Sequence, residues 1–499
     1  MTHTHLRGRR IAASIALALA AGSVPAVAAA GGGHSGGGPA SPGCANPNQN
    51  STDKLLSCID GDDVIGHLEA LQGIADANGG TRASGTPGYD ASADYVAGLL
   101  EDAGFTVQRQ VFEFSLFTEI SSALTVGGVD VPTQTFEYSG PGSVTDGNVI
   151  PVDIALGLGN TSSSGCETTD FDGLDFSGPN DIALIQRGAC DFGVKAVNAT
   201  LAGAEAVIIF NQGNTAEEDR QGPIGGTLGE IAVGVVDIPV VEATYPTGVS
   251  IIETAPTVSV AAETQIDTRT TQNVIADLEG VNPDNVVMAG AHLDSVQEGP
   301  GINDNGSGSA ALLTVALEMA NNRKYTPQNS LRFAWWGAEE SGLVGSTKYI
   351  FDPEFGISDE DYAALSSYLN FDMVGSPNFV YGVYDADQSS FEAPVVVPDG
   401  SAALEDLFEA FYSDGDIPYD DSEFSGRSDY QAFIDVGIPA SGLFTGAEEE
   451  KTEQQAAIWG GTAGEQFDQC YHLVCDTIDN IDKKALYVNM GAIATAVLT

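Results

Sequence analysis

The period of the apolar residues changes several times along the chain, and each change predicts a different element. Val64, Leu68, Leu71 and Ile74 recur at helical spacing behind the acidic start Asp62-Asp63, the pattern of an amphipathic helix beginning near residue 62. A glycine-rich break, Gly79-Gly80-Thr81-Arg82, separates it from a second helix over 89–103, with Tyr95, Leu99 and Leu100 on one face. Residues 107–114 then alternate in strand fashion. Between about 118 and 265 the runs become short, β-rich and glycine-rich, with a strand at 181–185, the turn Arg187-Gly188-Ala189-Cys190, a helix over 192–202 and a buried strand at 206–210. After Asp267, apolar strands alternate with helices: strands at 273–278, 285–291, 330–336, 367–371 and 438–444, helices at 307–321, 342–350, 402–414, 430–436 and 483–498. That alternation predicts an α/β fold, a mostly parallel mixed sheet with helices on both faces. The middle region reads as a smaller β-rich α/β module inserted as a loop of the larger domain. The divisions are a leader at 1–28, a flexible lead-in or pro-segment at 29–61, a main domain split into 62–117 and 266–499, and the insert at 118–265.

Charge narrows the function. Across 499 residues, 70 acidic against 18 basic side chains give a formal net charge of −52. Such a polyanion repels phosphate backbones, which excludes a nucleic-acid binder. The acids are spread along the chain, and one reading is that they keep the protein soluble where salt screens the repulsion. Arg7, Arg9 and Arg10 precede the apolar run 11–21, and Ala26-Val27-Ala28 has the small-x-small form of a cleavage signal. That run is shorter than the roughly 20 residues a membrane span needs, so the expectation is an exported protein, extracellular or periplasmic, without a membrane anchor. Export permits disulfides. The six cysteines form three sequence-near pairs, Cys44 with Cys58, Cys166 with Cys190, and Cys470 with Cys475. Six cysteines allow 15 connectivities; three local bridges is the simplest and is the one expected.

Polar residues cluster where predicted strands end, the place where open α/β sheets bind ligands. The strand at 285–291 runs into His292-Leu293-Asp294, whose first and third side chains point the same way, so the acid can hold the imidazole's second nitrogen. Gly301-Ile302-Asn303-Asp304-Asn305-Gly306-Ser307 is a turn into a helix. Glu339-Glu340 follows one strand, Asp372 another, and Tyr471-His472 lies between Cys470 and Cys475. A lone His67 on an early helix reads as an ordinary packed or surface residue, and each acid taken alone as a turn or surface group. Crowded together without a cation, however, these acids would repel one another. A pair of divalent ions resolves the conflict, and two imidazoles favour zinc over calcium or magnesium. Two histidines and three carboxylates, one shared, would give each ion three protein ligands and an open position. Glu339, beside Glu340, is left as a general base. Calcium at Asp479 and Asp482 is conceivable, with solvated acids the simpler reading.

Together these motifs, with Trp336-Gly337-Ala338-Glu339-Glu340-Ser341-Gly342, Asn370-Phe371-Asp372-Met373 and Cys470-Tyr471-His472-Leu473-Val474-Cys475, resemble the secreted dizinc aminopeptidases of the leucyl and aminopeptidase Y type, which have the zinc exopeptidase (phosphorylase/hydrolase-like) fold. Cys166 to Asn211 resembles the protease-associated domain inserted in many of them. The resemblance implies two zinc ions: Asp304 bridging, His292 and Asp372 on one ion, Glu340 and His472 on the other. It further implies Glu339 as general base, Asp294 behind His292, Tyr471 as oxyanion donor, Arg427 in the substrate site and a strained, cis Asp304–Asn305 peptide. The expected activity is removal of N-terminal, leucine-like residues from peptides with a free amine, by a monomer. The alternatives are a transferrin-receptor-like binding protein, which would lack the ligands, and a carboxypeptidase or glutaminyl cyclase on the same fold.

Overall fold

The structure, a computed structural model, describes residue 59 and residues 61–498 apart from 217, 322–325, 392 and 394. The expected leader, nearly all of the lead-in and the Cys44–Cys58 pair lie outside the described residues. In chain order the strands are β1 (Thr106–Val126), β2 (Val129–Val131), β3 (Gly142–Pro151), β4 (Asp181–Gln186), β5 (Ala206–Phe210), β6 (Val240–Ala243), β7 (Val258–Leu278), β8 (Asn282–His292), β9 (Asn329–Trp336), β10 (Leu365–Phe371), β11 (Gly382–Tyr384), β12 (Asp420–Ser422) and β13 (Ala440–Phe444).

Strands β13, β10, β8 and β9 are parallel neighbours and form the centre of the large sheet. Their sequences are mostly apolar, with a few buried polar residues such as Ser367, Asn370 and Ser441, because both faces are covered. Phe333 and Trp335 enter the core beneath one layer of helices, while Ala334 and Trp336 enter the core on the other face. The sheet continues through β7, antiparallel to β9. The four parallel strands β3–β4–β5–β6 make the second layer, attached where β3 pairs with β7. There too alternate residues feed two cores, Ala183 and Ile185 on one side and Ile182 and Leu184 on the other. The mixed α/β expectation is met, with helices on both faces.

One expectation falls short. The strand expected at 107–114 is the first part of a 21-residue strand, paired with β7 along its whole length except for a bulge at Glu119/Ser121. Phe112, Phe114 and Leu116 are buried, but from Phe117 to Ala123 the side chains are half-buried or exposed. A two-stranded ribbon wetted on both faces is held by ladder hydrogen bonds and leaves no period-two signature. Among the described residues, no helix is long and apolar enough to cross a membrane.

Candidate metal centre

The carboxyl ends of the central parallel strands converge on one cleft. His292 is the last residue of β8, Glu339 and Glu340 follow β9, and Asp372 follows β10. Asp304 arrives on the turn Ile302–Ser307 that leads into the helix Gly308–Asn321, and its peptide bond to Asn305 is cis. His472 comes from the loop closed by the Cys470–Cys475 disulfide. Asp476, just beyond that disulfide, accepts hydrogen bonds from the amides of Asn303 (2.8 Å) and Asp304 (2.9 Å). This clamp brings His472 to Asp304 across a long stretch of sequence.

Asp304 stands between the two imidazoles. Its Oδ1 lies 3.2 Å from Nε2 of His292, and its Oδ2 lies 3.2 Å from Nε2 of His472. Asp372 Oδ1 is 3.3 Å from His292, and Glu340 Oε2 is 3.0 Å from His472. Glu339 stands slightly back, 3.9 Å from His292 Nε2. The structure thus gathers all five expected ligands and the expected base. His292 is fully buried, whereas the His472 side chain is 42% exposed, so the cleft opens on the disulfide-loop side.

The orientation of His292 shows what the site is built to hold. Its Nδ1 donates to the main-chain carbonyl of Asp294 at 3.1 Å; the Asp294 carboxylate, expected to take that bond, is farther away at 3.7 Å and instead accepts from the amide of Glu339 at 3.3 Å. With Nδ1 committed to that carbonyl, Nε2 faces the two carboxylates, the orientation in which a neutral imidazole offers its lone pair to a cation they share. Buried Asp372 Oδ1 and Glu340 Oε1 have no hydrogen-bond partner, whereas buried acceptors ordinarily do. Without the cation, the burden falls on protons. Burial raises Glu339 well above the usual carboxylate range, helped by Asp429, Asp372 and Glu340. Burial also lifts Glu340 to about 7, against the pull of His472. Burial would lower His472, but Glu340 and Asp304 hold it up at about 11. Imidazole and carboxylate donors in this arrangement suit zinc.

A second set of residues fixes these ligands. Ser428 donates to Asp372 Oδ2 at 2.6 Å while accepting from Asn370 at 2.8 Å, which aims Oδ1 at His292. Asn305 donates to the Phe371 carbonyl and accepts from the amide of Met373. Arg82, fully buried, donates to the carbonyls of Leu293, Pro300 (2.8 Å) and Gly301 (2.5 Å). Sequence reasoning passed over Arg82 and Asp476; a lone arginine in a glycine-rich break of so acidic a chain was the available signal. The ring of Tyr471 stacks on His472 at 3.9 Å, and its hydroxyl accepts from Arg427 at 3.3 Å, with Arg427 paired to Glu448 at 2.6 Å. Met373, Tyr384, Phe444 and Ala447 line the rest of the cleft together with Glu423, Ser425, Tyr430 and Glu449. Asp482, considered for calcium, accepts from the amide of Ala485 at the start of the last helix, and among the described residues neither it nor Asp479 joins a ligand cluster.

The Peptidase family M28 profile matches residues 273–497, and the PA domain profile matches 145–251. An aminopeptidase of Pseudomonas aeruginosa (strain UCBPP-PA14) is 46% identical over 470 residues, covering 91% of this chain and 84% of that protein. The chain belongs to peptidase family M28. Leucine aminopeptidase 2 of Trichophyton tonsurans is 37% identical over 450 residues, covering 89% of this M28 chain and 85% of that protein. The solved aminopeptidase from Aneurinibacillus sp. strain AM-1 superposes with a TM-score of 0.67 at 27% identity, over 90% of this chain and 95% of that one. These matches bear out the resemblance in fold, family and inserted PA domain, and make the chain a peptide hydrolase. The Cys166–Cys190 and Cys470–Cys475 disulfides are both formed.

Proposed function

We propose that this M28 peptidase is a zinc aminopeptidase with two ions, one between His292, Asp304 and Asp372, the other between His472, Asp304 and Glu340. The observation that carries the reading is Asp304, whose two oxygens are each 3.2 Å from a different imidazole. When bound, the ions supply Lewis acidity toward the scissile carbonyl and a water acidic enough to react near neutral pH. The chain's own groups do the rest. Glu339, buried and 3.9 Å from His292 Nε2, takes a proton from the attacking water and returns it to the departing amine. Tyr471, at the open side beside His472, donates from its hydroxyl to the developing oxyanion. Arg427 holds that hydroxyl in place. The uncompensated acids around Glu339 and Asp372 receive the free α-ammonium group, a cation that a chain interior cannot bring. Met373, Tyr384, Phe444 and Ala447 take an apolar first side chain, in keeping with the leucine aminopeptidase names among the relatives. Those names lend no support to the receptor, carboxypeptidase or cyclase readings. The two disulfides support a site of action outside the reducing cytosol.

The test is metal analysis of the purified protein together with a panel of aminoacyl-p-nitroanilides and their N-acetyl forms. Two zinc ions per chain, turnover of leucine p-nitroanilide and silence on its acetylated form are expected. Glu339→Ala should keep its zinc and lose activity by about 10³-fold or more. A metal-free active protein, or full turnover in Glu339→Ala, removes the assignment.

A further inference from the structure

We infer that Tyr138, a residue of the inserted layer, is a positioning residue for the hydrolytic reaction, acting through the turn that bears Glu339 and Glu340. Its ring belongs to the core of that layer, with Phe136 and Ala183, and the segment around it is stitched into the layer by main-chain bonds. Phe136 donates to Val240, Glu137 to Gly226, and the amides of Leu228 and Glu242 donate back to Glu137 and Gln134. Its hydroxyl, however, leaves the layer and reaches the main domain. It lies 2.6 Å from the carbonyl of Ser341 and 2.9 Å from that of Ser115 on β1.

Ser341 follows Glu340 directly, at the tip of a turn closed by the amides of Gly342 and Leu343 donating to the Glu339 carbonyl and that of Val344 donating to Ala338. The turn is also pinned by Ser84 accepting from the Ala338 amide and Asp294 accepting from the Glu339 amide. Tyr138 holds the tip through the Ser341 carbonyl. Its backbone supports the reading: φ is +64°, a region that costs a bulky non-glycine residue of order 1–3 kcal/mol and is retained where the surroundings demand it. A carboxylate positioned for proton transfer loses rate steeply with small displacements, so the hydroxyl of the insert contributes to the placement of the base, Glu339.

This inference rests on the roles given to Glu339 and Glu340 above. The experiment compares the full-length zinc-loaded enzyme with Tyr138→Phe, Tyr245→Phe and Glu339→Ala on leucine p-nitroanilide. Tyr138→Phe keeps the ring and deletes the bond to Ser341. Tyr245→Phe deletes a hydroxyl that accepts from Gly157 within the insert. For Tyr138→Phe, kcat should fall about tenfold with KM and zinc content unchanged, and the melting temperature should move no more than in Tyr245→Phe, which keeps wild-type kcat. Undiminished kcat in Tyr138→Phe, or an equal loss in both tyrosine variants, overturns the inference. So does a loss that comes with lower zinc content or raised KM. If Glu339→Ala remains active, it is the assignment of the base that fails; if Glu339→Ala is inactive while Tyr138→Phe is normal, the positioning role alone fails.

Discussion

Two ligands of the cleft, Asp372 and His292, are each held by one atom so that another is free to face inward. Asp372 shows this most simply: Ser428 takes Oδ2, and Oδ1 is left unbonded 3.3 Å from His292. His292 is treated the same way, its Nδ1 committed to a carbonyl and its Nε2 presented to the acids. Left-handed backbone recurs at the same places, at Ala338, Met373 and His472, with φ of +57°, +49° and +58°, where each chain segment turns sharply to deliver a side chain. Removing the group that orients a ligand weakens metal binding without removing the ligand, typically by 10–100-fold. Ser428→Ala should therefore lose zinc to a competing chelator at about 10–100-fold lower chelator activity than the wild type, with kcat largely restored by excess zinc. Equal zinc retention in the two proteins would show that the hydroxyl does not aim Asp372.

At the scale of elements, the site depends on loops being tied to strand ends by residues remote in sequence. Arg82 is the main tie. It spans from the break between the first two helices to the turn before Asp304, donating to three carbonyls 211 to 219 residues away. Burial lowers it to about 10, opposed by Asp294, Asp476 and Asp304, so it stays charged at neutral pH. Arg82→Met would leave buried carbonyls unpaired and buried acids uncompensated, and should cost roughly 3–5 kcal/mol in urea unfolding; a loss under about 1 kcal/mol would refute its role as a tie. The contrast with the ligands explains what the sequence reveals. His292 ends a largely apolar strand and Glu339, Glu340 and Asp372 follow two others, so strand pattern and chemistry appear side by side in the chain. Arg82, Asp476 and Ser428 act on partners that the fold alone brings near, and no local pattern announces them. The outer part of the β1–β7 ribbon, from Phe117 to Ala123, is illegible for a related reason: its stability lies in cross-strand hydrogen bonds, and its wetted side chains carry no alternation.

For the whole molecule, the governing quantity is charge. A net −52 means that the folded state concentrates like charges that the unfolded chain spreads apart, and mobile ions should relieve that cost. The Debye length shortens from about 30 Å at 0.01 M to about 10 Å at 0.1 M and about 3 Å at 1 M salt, so most of the relief should come at the low end. The same crowding acts on individual acids. Burial, aided by Asp63, lifts Glu318 to about 7, and burial lifts Glu405 to about 7 although the amides of Ala386 and Asp387 donate to it. A carboxyl whose folded value lies above its unfolded one holds its proton more tightly when folded. Its stabilising contribution is therefore present below the ordinary value near 4.5 and lost as pH rises to about 7. The melting temperature should accordingly fall between pH 5 and pH 8 and rise with sodium chloride, with the pH slope flattest at high salt. Glu405→Gln keeps an acceptor for both amides and removes the titration, so it should flatten the slope further and stabilise the protein most at pH 8. A melting temperature indifferent to salt would mean that the acidic surface is already relieved within the fold. A Glu405→Gln variant with the parent slope would place the pH dependence in other groups.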